Sequence, residues 1–70
     1  MNIDVRKYII DNFKNDDEEE LLKAINDSVS ASDDDALIGL GVLFELAWAN
    51  SKDDLQYNII KNIRQGMANK

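Results

Sequence analysis

Residues Asp35 to Asn50, DALIGLGVLFELAWAN, constrain the fold more than any other stretch. Apolar side chains fall on every side of this segment. The segments before and after it are apolar on one side only. A helix that is hydrophobic all round requires cover from its neighbours. The stretch also holds the only Trp, one of the two Phe residues and two of the three Gly. The rest of the chain must supply that cover, and it is short. Seventy residues make a single domain, and a core of that size gives only about 3–5 kcal/mol of net stability.

The common reinforcements are missing from the sequence. It has no Cys and no His, which removes disulfides, thiolate chemistry, His-based catalysis and the usual zinc sites. Helix packing or association with another chain is what remains. No run of about 18 apolar residues exists to span a membrane, and no secretory signal opens the chain. A cytoplasmic setting is expected.

The formal net charge is −6. Residues 1–35 carry eleven acids against four bases, a balance of −7, whereas residues 36–70 carry three acids against four bases, a balance of +1. No basic stripe is available to neutralise phosphates, so direct nucleic-acid binding is not expected. An acidic surface fits solubility or a basic protein partner.

Apolar spacing and the lack of Pro predict four helices. The first runs from Ile3 to Phe13 behind an N-cap at Asn2, with Val5, Tyr8, Ile9 and Phe13 on one side. The second runs from Asp17 to Val29, with Leu21, Leu22, Ile25 and Val29 as its stripe. Asp17 and Glu20 form a capping box. Asp16 to Glu20 are five successive acids, and negative charge at a helix start is favourable without any metal or partner. Ser28 to Ser32 read as a polar connection. Ser32 then caps a third helix ending at Ala49, and Ser51 caps a fourth that Gly66 terminates. The fourth stripe is Leu55, Ile59, Ile60, Ile63 and Met67.

Three apparent motifs fail. Asp33 to Asp35 lack the Gly and Glu that a calcium loop needs at its sixth and twelfth positions, which here are Ile38 and Phe44. Gly39-Leu40-Gly41 lacks the third Gly and the preceding strand of a dinucleotide fingerprint. Glu45, the lone charge in the apolar run, has no second carboxylate for general acid–base work. It is either a solvent-facing break or part of a contact surface with Ile38, Gly41 and Val42.

The glycines suggest an architecture. Each costs about 1 kcal/mol inside a helix relative to Ala. Two positions apart, they point roughly 200° from each other. Close approach on both sides would offset that cost and would put the third helix at the centre of the packing. The expected fold is therefore an all-α bundle of four short helices around a central apolar helix. Its expected core is Val5, Ile9, Phe13, Leu21, Ile25, Val29, Leu37, Leu40, Phe44, Trp48, Leu55, Ile59 and Ile63.

Gly39 to Asn50, GLGVLFELAWAN, closely resembles the GLGVLFE-x-x-W-x-N core of the I-type small acid-soluble spore proteins. Val5-Arg6, Ile9-Ile10 and Asn12 resemble that family's first segment. Leu21, Ile25, Asp27 and Val29 resemble its second, and Gln65-Gly66 its carboxyl end. Ile38 departs from the pattern, since the family often has Pro there, and Ile lets the third helix start earlier. The resemblance implies a minor, non-enzymatic protein of the endospore core, made in the forespore, with no known catalytic, cofactor or metal residues. It would act through an unidentified protein partner or through self-association. The alternative reading of the residues is an acidic module that mimics DNA and inhibits a basic nucleic-acid-binding protein.

Overall fold

The computed structural model describes residues 4–69. Those residues form four helices: α1 (Val5–Phe13), α2 (Glu18–Ala31), α3 (Asp34–Ala49) and α4 (Asp53–Ala68). The all-α class and the order of the helices match the sequence reading. The caps match it only in part.

Asp17 and Glu20 form the reciprocal capping box. At α1 the cap is Asp4, whose carboxylate accepts from the Lys7 backbone N–H at 3.0 Å; Asn2 and Ile3 lie outside the described residues. At α3 the cap is Asp33 rather than Ser32, accepting from the Ala36 N–H at 2.7 Å. Ser32 instead ends α2, which continues through most of the expected polar connection. Lys52 precedes α4 with no side-chain cap. The Ser51 hydroxyl points backward and donates to the Ala47 carbonyl at 2.6 Å. Gly66 lies within α4, which runs on to Ala68.

Ser32 is the one non-glycine residue at positive φ among those described, with φ 55°. A side chain in the left-handed region costs about 1 kcal/mol that glycine does not incur. Ser32→Gly should therefore stabilise the chain by about 1 kcal/mol, read as a rise in thermal midpoint by circular dichroism. Destabilisation by that substitution would show the hydroxyl to matter more than the backbone.

Helix α3 packs against α1 on one side and α2 on another. Ile9, Ile10 and Phe13 of α1 are half-buried against this packing, as are Leu21, Ala24, Ile25 and Ser28 of α2. The α2 spacing is one inner face at i, i+3, i+4 and i+7. Leu22 and Val29, expected on that stripe, lie at its edge and are exposed. The only buried residue among those described is Val42, at 7% exposure.

The fourth stripe does not cover α3. Gln56 and Ile59 are half-buried, and every residue from Ile60 to Asn69 is exposed. Gln56 Nε2 donates to the Trp48 carbonyl at 2.9 Å, holding the start of α4 at the end of α3. Much of the expected core is consequently open: Val5, Val29, Leu37, Phe44, Leu55 and Ile63 are all exposed. The glycine expectation also needs correction. A Cβ on Gly39 would stand 3.8 Å from Ile9 Cδ1, an ordinary contact, while one on Gly41 would meet nothing within 4 Å. Helix α3 is enclosed toward α1 and α2 only.

Two global quantities agree with this openness. The chain exposes 6162 Å², whereas a folded monomer of its mass is expected to expose about 4,400 Å². Its radius of gyration is 13.5 Å, against about 11 Å for a closed domain of this length.

Candidate functional site

Four residues stand out in the sequence as a possible contact surface: Ile38, Gly41, Val42 and Glu45. They line one groove of about 530 Å³ between α3 and the start of α1, together with Asp4, Val5 and Arg6. They do not play equal parts in it. Val42 is its buried floor, and its aliphatic side chain belongs to the seam between α1 and α3. Ile38 and Gly41 are exposed on its wall. Glu45 closes one end.

Glu45 is not a lone charge in the folded chain. Arg6 Nε donates to Glu45 Oε1 at 2.6 Å, and Arg6 Nη2 donates to Oε2 at 2.8 Å. The planar guanidinium and the carboxylate thus meet fork to fork, the most directional of the charge-assisted pairings. The pair separates the Val42 groove from a second one of about 430 Å³, lined by Arg6, Phe44, Glu45, Leu46, Trp48 and Ala49. In that second groove Phe44 and Trp48 stack at a tilt, with centroids 5.6 Å apart and planes at 31°.

Arg6 is the site residue that sequence reasoning missed. It stands 39 positions from its partner, beyond the reach of any local pattern. The one available hint was that a carboxylate in an apolar run calls for a cation.

The hydrogen bonds from Arg6 hold the Glu45 carboxyl below its ordinary value of 4.5. A carboxylate depressed in the folded state stabilises above its unfolded pKa and loses that contribution as pH falls through the folded one. The pair should therefore support the fold at neutral pH and release it only below pH 4.5. Both partners are largely solvated, which screens the pair. Glu45→Gln should flatten the dependence of melting temperature on pH in the acid range and leave the neutral-range slope unchanged. An unaltered acid slope in the variant would deny the pair that role.

An ionised carboxylate tied to a guanidinium is a poor proton donor at neutral pH. Within the two acid runs Asp17 and Asp33 cap helices, as Asp4 does at the start of α1. No helix among the described residues is long and apolar enough to cross a membrane.

A third groove, of about 350 Å³, is lined wholly by apolar residues of α2 and α3: Ile25, Leu40, Leu43, Phe44 and Ala47. It lies between α2 and α3 and shares Phe44 with the second groove.

Comparison with known proteins agrees with the motif. The model of a family described as "Small, acid-soluble spore protein I" matches residues 3–67. A small, acid-soluble spore protein I of Bacillus cytotoxicus is 30% identical over 70 residues, all of both chains. That of Halalkalibacterium halodurans is 33% identical over 67 residues, covering 96% of this chain and 98% of the relative. One from Bacillus cereus is 27% identical over 67 residues, covering 96% of this chain and 97% of its own. No solved structure matches the chain. With the match running through all four helices, the chain belongs to the small, acid-soluble spore protein I family.

Proposed function

We propose that this chain is a non-enzymatic protein of the endospore core that acts by protein contact through its open apolar surface. One observation carries the reading: about 1,700 Å² more surface is exposed than a folded monomer of this mass needs to expose. Much of that surface is large and hydrophobic, on α3 and α4. Soluble proteins keep such patches small unless a partner covers them. Family membership supports the spore setting.

The test is photo-crosslinking in intact spores, with a crosslinking side chain at Leu37 or Leu55 and a control on the polar side of α2 at Asn26. The reading predicts protein adducts at the first two positions and few at the control. Equal labelling at all three, or none at Leu37 and Leu55, would contradict it. Production only during vegetative growth would contradict the spore-core setting.

A further inference from the structure

Two apolar faces of the described chain lack cover, and they are complementary. One is the side of α3 that carries Leu37, Gly41 and Phe44, with Leu37 61% exposed. The other is the α4 stripe of Leu55, Ile60, Ile63 and Met67, with Leu55 55% and Met67 64% exposed. We infer that a second copy of this chain covers the first face with its own α4, laid antiparallel to α3, and that the two copies do so reciprocally. This rests on the contact function proposed above and names its partner.

Four observations favour a second copy. The first is length: α3 and α4 are both 16 residues long, so one can cover the other from end to end. The second is charge. Asp33, Asp34 and Asp35 stand at the start of α3, while Lys61 and Arg64 lie in the second half of α4. Antiparallel docking sets these opposite charges side by side and aligns the helix dipoles favourably. Parallel docking would set Asp53 and Asp54 against the α3 acids.

The third observation is Gly41. Its missing side chain serves no contact within the chain, yet it lies at the middle of the open face, where a crossing helix would come closest. The fourth is area. An excess of about 1,700 Å² per chain corresponds to about 3,400 Å² for a pair, within the span of obligate homodimers. A reciprocal arrangement also closes on itself, leaving no open face for further copies.

The experiment uses the intact chain. Sedimentation equilibrium from about 1 µM to about 1 mM should show a mass rising toward twice 7.9 kDa. Ile63→Glu, at a position exposed within the chain, should weaken the pairing about 100-fold by burying an unpaired charge. Gly41→Ala should raise the helicity of the dilute chain yet weaken pairing. The sequence has no Cys, so single-cysteine variants report cleanly. Leu37→Cys mixed with Ile63→Cys should give a disulfide-linked pair on oxidation, and neither should do so alone.

A monomer at about 1 mM would overturn the inference. So would Ile63→Cys linking to itself as readily as to Leu37→Cys, which would mean α4 against α4. So would an internal link in the monomeric double variant, which would mean that α4 folds back on its own chain. The first two results leave the crosslinking in spores untouched, so the contact function can stand where the pairing fails; the internal link would count against both.

Discussion

Val42→Asp should abolish the cooperative unfolding transition of this protein. Val42 is the one described residue that its neighbours bury, and it joins α3 to α1. An introduced carboxylate there loses its hydration, and Arg6, the cation that lines the same groove, is already held by Glu45. The cost is several kcal/mol, and a core of this size supplies only about 3–5 kcal/mol in total. Circular dichroism should show a shallow, non-cooperative melt at every temperature. Val42→Ala, which removes two methyl groups, should cost about 2 kcal/mol and keep a cooperative transition. Leu37→Asp is the control. The same charge placed on the open face of α3 should leave the melt of the dilute chain nearly unchanged. If Leu37→Asp and Val42→Asp are equally damaging to the dilute chain, the open face is covered by the chain itself.

The second large effect is that stability rises with protein concentration. A native state that pairs is favoured by mass action, by about 4 kcal/mol per pair, or about 2 kcal/mol per chain, for a thousandfold rise in concentration. For a domain of this length that corresponds to an upward shift in thermal midpoint of about 10 °C. Scanning calorimetry over that range should show the shift in the natural chain and lose most of it in Ile63→Glu. A midpoint independent of concentration would mean that the chain is stable by its internal contacts alone.

Local features were legible in the sequence and longer-range ones were not. All four helices follow from apolar spacing, because that signal lies within each segment. The Asp17–Glu20 box was legible for the same reason. Ser32 and Ser51 were misread because a Ser three residues before an Asp is only one of several ways to start a helix. Asp33, one place along, makes the better cap for α3, and the Ser51 hydroxyl finds a carbonyl in the preceding turn.

Ile38, Gly41, Val42 and Glu45, expected as a contact surface, line one groove, yet two of them have duties within the chain. Val42 packs, and Glu45 binds Arg6. The ion pair was invisible because it joins two helices that only the fold brings together. The cost of Gly41 was expected to be offset within the chain, whereas the space beside Gly41 is open. An amphipathic stripe says that a face can be buried and is silent on whose side chains bury it.

Helix α4 decides between the possibilities. A 16-residue helix with its second half exposed is marginal in water, since it is only just longer than the limit of about 12–15 residues for Ala-rich helices, is not Ala-rich, and helices draw most of their stability from packing. Its backbone hydrogen bonds should persist only while another surface lies against the stripe. Hydrogen exchange of the amides from Ile60 to Asn69, followed as a function of protein concentration, reads this directly. Exchange should be rapid in dilute solution and slow in concentrated solution, with the change lost in Ile63→Glu. Equal and strong protection at every concentration would contradict it, by showing that α4 is held within a single chain.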